Sequence, residues 1–168
     1  GRDAFLKAMC RFADYIEKIF KIEKSAAFRT PGHPELELAL LRLYGCTKEP
    51  RYLELAKFFI DEHGNNDVDR CIYPQYNEYY NQDEMPLRER STAEGHSVRS
   101  LYLLSSVADL AELTQDAELK AACERCFKNI VTKRMYITGG IGSTHWGEAF
   151  SADYDLPNDT VYAETCAS

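Results

Sequence analysis

Helical periodicity runs through most of the chain and fails in two long stretches. "AFLKAMCRFADYIEKIF" sets Phe5, Met9, Phe12, Ile16 and Ile19 at three- and four-residue steps, the spacing of one helix face. "PELELALLRLYGCT" continues with Leu36, Leu40 and Leu43, and Pro34 suits a first helical turn. "EPRYLELAKFFIDEHG" begins beside Pro50 and reaches Gly64, a natural stop. "STAEGHSVRSLYLLSSVADLAELT" and "DAELKAACERCFKNIVTKR" follow. A loose internal repeat joins them. Helices of the type "RYLELAKFFID" and "AELKAACERCFKNI" each come after a helix ending L-x-x-x-T, "LYGCT" and "LAELT". Helices paired in succession predict a helical-hairpin array, either an open solenoid or a closed α/α toroid. The irregular period, without a tetratricopeptide consensus, favours the toroid.

The pattern breaks at "NNDVDRCIYPQYNEYYNQDEMPLRER" and at "MYITGGIGSTHWGEAFSADYDLPNDT", which read as long functional loops. "MYIT" is expected to form a short strand. The closing "TVYAETCAS" reads as a helix capped by Asn158 or Asp159, cut off after about two turns and too short to stand by itself. The expectation is a piece of a larger protein, interrupted at the C-terminus and by the same reasoning at the N-terminus.

Composition narrows the field. With 168 residues, 45% of them hydrophobic, the chain can bury a core. A net charge of -7 and a pI near 5.1 argue against nucleic acid or an anionic membrane as partner. No apolar run approaches a membrane span and no leader is visible, which points to the cytoplasm. Of the cysteines, Cys10, Cys46, Cys123 and Cys126 fall in helical segments and read as small buried side chains. Cys123 and Cys126 form a C-x-x-C, but its members share a helix face and are expected to pack rather than bind metal.

Several residues could carry chemistry. Glu164 and Cys166 offer zinc a carboxylate and a thiolate, although residues two apart lie about 200° apart on a regular helix. Glu148, set among glycine, tryptophan and phenylalanine, is a candidate general acid. Apolar surroundings would raise its pKa, and aromatic rings serve as sugar platforms. His96 and His33 each precede a helix, and helix N-termini of a toroid can converge on a central cleft. Glu89, Arg90 and Glu94 read as a local ion-pair network. "GGIG" lacks the Lys-Ser/Thr of a phosphate cradle.

"GHPELELALLRLYGCTKEPRYLELAKFFID", "PLRERSTAEGHSVRSLYL" and "KRMYITGGIGSTHWGEAFSADYDLPNDTVYAETCAS" together resemble glycoside hydrolase family 127, the β-L-arabinofuranosidases once grouped as DUF1680. The resemblance runs over nearly the whole chain, and its last stretch is the most specific. It implies part of an (α/α)6 catalytic barrel, truncated here, and a carbohydrate substrate. It implies that Glu148 is the general acid/base, that His96 and His33 line the sugar subsite, and that Glu164 and Cys166 are zinc ligands. Two further zinc-ligand cysteines, one of them the nucleophile, would lie downstream, so the metal site is incomplete here and the chain alone is expected to be inactive. The family often has Gln where this chain has Arg90 or Ser91, which bears on the identity of the sugar. Self-association is left open. The competing readings are a related glycosidase of different sugar specificity and a non-catalytic helical-repeat scaffold. Convergence of His33, His96, Glu148, Glu164 and Cys166 on one cleft would favour the enzyme.

Overall fold

The computed structural model describes residues 3–65, 76, 78–159 and 165–167. They are mainly helical: α1 (Asp3–Glu17), α2 (Glu35–Thr47), α3 (Pro50–Glu62), α4 (Ser97–Thr114) and α5 (Ala117–Asn129). Two five-residue π-helical turns, Lys18–Ile22 and Ile130–Arg134, extend α1 and α5. Among the described residues none of the helices is long and apolar enough to cross a membrane.

The repeat has a physical cause. The Thr47 hydroxyl donates to the Leu43 carbonyl at 2.8 Å, and the Thr114 hydroxyl donates to Leu110 at 2.7 Å. Each hydroxyl folds back onto the carbonyl four residues earlier, sharing it with the helix ladder in the last turn. The next residue, Lys48 (φ 61°) or Gln115 (φ 58°), takes the left-handed conformation that turns the chain. The following helix then starts at once, on Pro50 in one case and on Asp116 in the other. The Asp116 carboxylate accepts from the Glu118 and Leu119 amides, both at 3.0 Å. The hairpins α2–α3 and α4–α5 result, and α2 also packs on α4.

The principal core lies between these hairpins, with Leu40, Leu55, Phe59, Leu103, Leu110 and Leu119 nearly solvent-free. α4 is the central helix. Ser100 and Ser106 are buried beside Leu103 and Val107, small side chains where neighbouring helices come close. A smaller cluster of Ala93, Ile130, Ile141, Phe150 and Ala167 packs against Val98, Leu101 and Leu104 at the N-terminal end of α4. It lies directly under the residues described below.

Four expectations need correction. "MYIT" is not a strand: Met135 pairs singly with Ile141, because a tight turn closes between Tyr136 and Gly140. The helix expected from "STAEGH" begins only at Ser97, since Gly95 holds φ +71°. The α1 stripe is helical, but Phe5 and Phe12 stand 72% and 56% exposed, and only Ala13 and Ile16 are buried. Cys46 is exposed as well, whereas Cys126 is buried and Cys123 half-buried on α5. Burial pushes both of those thiols up to about 11, which leaves them inert at neutral pH and fits a packing role.

Arg90 joins no network with Glu89 or Glu94. Its guanidinium is 1% exposed and forks onto both Glu84 oxygens, at 2.5 and 2.9 Å, with the Gln82 carbonyl at 2.9 Å. A guanidinium withdrawn from water requires such bidentate pairing. Arg90 therefore braces the loop and is not presented to a ligand.

Candidate active site

Three strands of irregular backbone meet at the N-terminus of α4. Gln82 is 1% exposed, and its side-chain amide donates to the carbonyls of Tyr80 (3.1 Å), Glu94 (3.0 Å) and His96 (3.3 Å). The approach is so close that a Cβ on Gly95 would stand 1.8 Å from the Tyr79 oxygen. Gly95→Ala is therefore expected to cost about 2–4 kcal/mol, from left-handed strain and backbone displacement together, read as a lowered thermal midpoint of the full-length protein.

His96 is the N-cap of α4. Its Nδ1 accepts the Arg99 amide at 3.5 Å, and its Nε2 lies 3.1 Å from Glu148 Oε2. An imidazole that accepts at Nδ1 carries its proton on Nε2, so the neutral ring donates to the Glu148 carboxylate. The helix end thus sets the tautomer that holds the acid candidate.

Glu148 is delivered by an unusual turn. Gly147 (φ +69°) and Glu148 (φ +50°) are consecutive left-handed residues in the short helix Trp146–Glu148. For a glutamate this costs about 1–2 kcal/mol. Flanking bonds hold the strained turn in place. Thr144 and Ala149 exchange amide bonds at 3.3 and 3.2 Å, Phe150 donates to the Gly95 carbonyl at 2.9 Å, and the Ser97 hydroxyl donates to the Glu148 carbonyl at 3.1 Å. Beyond it, Asp153 accepts from Asn129 (2.8 Å), Lys133 (2.7 Å) and Arg134 (2.7 Å). Hydrogen bonds from Lys133 first, then from Arg134 and Asn129, hold its carboxyl well below the usual range. The second loop is thereby fastened to the end of α5. The desolvating aromatic shell expected around Glu148 is not formed by the described residues, for the side chain is 47% exposed.

His33 lies before α2, with Nδ1 accepting the Glu35 amide at 3.2 Å and the ring edge-on to Tyr102 of α4 at 5.2 Å. Arg99, one turn into α4, donates to the neighbouring Gly32 carbonyl. Burial, and then the Arg99 charge, lower the pKa of His33. Arg99 also lies 5.3 Å from the Tyr80 ring centroid. The two histidines therefore share one end of the helical array, linked through Arg99, a residue that sequence reading did not single out. Its only signal was a position three residues past the His96 cap.

Cys166 is exposed in the short helix Thr165–Ala167, which packs on α4. Its neighbour Ala167 shares a cluster with Phe150, two residues from Glu148. Glu164 lies outside the described residues. Thiolate and carboxylate are suitable zinc donors. Among the described residues alone there is no group of three or more side chains able to hold a metal.

A cleft of about 520 Å³ opens beside the Glu148 turn, lined by Tyr76, Tyr80, Glu94, Thr144 and Trp146 among others. Tyr80 went unremarked in the sequence, whereas Trp146 was noted only as a neighbour of the acid candidate two residues on.

The arrangement of His96, Glu148 and the fastened loops can be set beside known proteins. The family model for the GH127 β-L-arabinofuranosidase catalytic domain matches residues 1–168. The chain belongs to the GH127 family. It is 42% identical over its full length to a non-reducing end β-L-arabinofuranosidase from Bifidobacterium longum subsp. longum, and spans 28% of that protein. A GH127 β-L-arabinofuranosidase from Geobacillus stearothermophilus T6 matches 97% of the chain and 27% of its own length, at 42% identity and a TM-score of 0.88. A second GH127 β-arabinofuranosidase structure matches 82% of the chain and 20% of its own length, at 43% identity and a TM-score of 0.74. With these neighbours, the helical hairpins are consistent with a section of the α/α toroid that the sequence predicts.

Proposed function

We propose that the full-length protein carrying this GH127 chain is a retaining glycoside hydrolase that releases terminal β-L-arabinofuranosyl units. The observation that supports this best is the His96–Glu148 contact at 3.1 Å on a strained, multiply bonded turn, in a chain 42% identical to a β-L-arabinofuranosidase. A strained glutamate that many bonds hold in place is what a positioned proton carrier requires.

In the proposed reaction, His96 Nε2–H donates to one Glu148 oxygen and fixes the carboxyl plane. The other oxygen carries the proton that passes to the departing glycosidic oxygen. Glu148, now a carboxylate, then takes a proton from the incoming water. His33, with Nδ1 engaged by the Glu35 amide, would orient sugar hydroxyls through Nε2. The nucleophile is proposed to be a cysteine thiolate from elsewhere in the polypeptide. Zinc, held in part by Glu164 and Cys166, would stabilise that thiolate at neutral pH.

The test is hydrolysis of 4-nitrophenyl β-L-arabinofuranoside by the full-length protein, with the first-formed anomer followed by NMR. Turnover with retained configuration is expected, and removal of zinc by a chelator should abolish it until zinc is restored. An inverted first product, or activity confined to a different glycoside, would overturn the reading.

A further inference from the structure

The cleft beside Glu148 bears on what leaves the enzyme, given the reading of Glu148 as proton donor. Trp146, the single tryptophan of the chain, stands 70% exposed. It is not isolated. Tyr76 and Tyr80 stack with centroids 4.1 Å apart and planes 10° from parallel, and Trp146 meets Tyr76 at 5.8 Å and 64°. The backbone of Gly147 lies against the same rings, its Cβ position 3.4 Å from Tyr80 Cδ2 and 3.8 Å from Tyr76 Cε1. A methyl there would stand in ordinary van der Waals contact with the tyrosines, and it is the positive φ of +69° that favours glycine. Tyr80 in turn meets His96 edge-on at 5.5 Å. A continuous aromatic surface therefore runs from the imidazole that holds Glu148 to the exposed indole.

The rim of this surface is polar. Glu94, paired with Arg134 at 3.0 Å, lines the cleft together with Thr144. Flat ring faces beside hydrogen-bonding groups suit a sugar. Its C–H bonds carry partial positive charge toward the negative face of a ring, and its hydroxyls need partners at the edge. The position decides which sugar unit. A general acid protonates the bridging oxygen, so the departing unit lies on the side of the acid. Trp146 is two residues from Glu148 in the same short helix.

We propose that Trp146, backed by the stacked Tyr76 and Tyr80 rings, forms the platform for the leaving-group unit of the substrate, a carbohydrate ring that stacks through a C–H face. Trp146 is a specificity-determining residue under this proposal, acting on the leaving unit and not on the terminal furanose.

The test uses the full-length protein with two substrates, a β-L-arabinofuranosyl disaccharide and methyl β-L-arabinofuranoside. Trp146→Ala is expected to raise KM for the disaccharide at least ten-fold, to leave kcat/KM for the methyl glycoside within about two-fold, and to be largely rescued by Trp146→Phe. Equal losses on both substrates, or no loss on either, would overturn the proposal. Binding is read separately by saturation-transfer NMR of the disaccharide on a Glu148→Gln background. Protons of the leaving unit should lose saturation when Trp146→Ala is added, while those of the terminal unit keep it. If instead thermal stability falls and both sets of protons stay saturated, another part of the polypeptide covers the platform and the proposal is wrong. Failure of the wild type to hydrolyse either substrate would sink the arabinofuranosidase reading but not the platform, provided the saturation of the leaving unit still depends on Trp146.

Discussion

Replacing His63 by leucine is expected to cost the full-length protein about 3–5 kcal/mol of stability, the range for removing one partner of a buried ion pair. His63 is 2% exposed and lies just past α3. Its Nδ1 stands 2.6 Å from Asp83 Oδ1, and its Nε2 stands 3.5 Å from Glu37 Oε1 on α2. Glu37 is 0% exposed. Burial alone would lower the imidazole pKa, but the two carboxylates overcome it and hold it at about 9. Asp83 is held below its usual range chiefly by His63, against burial. Without the imidazolium, the buried Glu37 carboxylate has no partner among the described residues, and Asp83 keeps only the hydrogen bonds of Asn81 (3.2 Å) and the Thr30 hydroxyl (3.5 Å). The same cluster predicts a pH dependence. A group whose folded pKa is raised stabilises fully below its unfolded value of 6.5 and loses that contribution as pH rises through about 9, on the order of 3 kcal/mol here. Asp83 acts in the opposite sense, and its contribution fades as pH falls through its lowered pKa. Thermal midpoints of the wild type should therefore decline between pH 6.5 and 9, and the decline should be absent in His63→Leu. A parallel decline in both proteins would show that His63 is not its source.

This cluster also shows what the sequence conceals. Helix positions were legible because period and end signals agree: Pro50 opens α3, Asp116 caps α5, and Thr47 and Thr114 close the helices before them. Glu37 comes from α2, His63 from the residue that caps the end of α3 and Asp83 from a loop, and no local spacing relates them. Arg90 and Glu84 are six apart in a loop where adjacent charges, Glu89 and Glu94, are the more obvious partners. Periodicity also says which face of a helix is apolar, not what covers it, so the α1 stripe could be recognised without its exposure being foreseen. In the candidate site, His96 and Glu148 were visible as residue types. Their meeting depends on the bridge between His96 and Ala149 and on the left-handed turn at 147–148, features of backbone that residue identity encodes only through Gly147. The likeness to GH127 proteins implied a separate role for each residue, and their contact at 3.1 Å comes from the structure alone.

Replacing Glu148 by glutamine in the full-length protein is expected to lower kcat by about two to four orders of magnitude, the usual contribution of a positioned acid–base group. The substitution is nearly isosteric, and the amide oxygen still accepts from His96 Nε2, so the turn should hold and thermal stability should change little. Zinc content should also be unchanged, because Glu148 is not among the proposed ligands. The size of the loss should depend on the substrate. A sugar leaving group needs its oxygen protonated as the bond breaks, whereas nitrophenolate departs readily without help. The first step should therefore suffer more on a disaccharide than on 4-nitrophenyl β-L-arabinofuranoside. The second step, attack by water, loses its base with either substrate. Azide needs no base, so it should accelerate turnover of the nitrophenyl glycoside by Glu148→Ala and give a glycosyl azide of retained configuration. Loss of zinc together with activity would place Glu148 in the metal site instead. Wild-type turnover of the disaccharide by Glu148→Gln would remove it from proton transfer altogether, and would leave the His96 contact at 3.1 Å as a structural cap of α4.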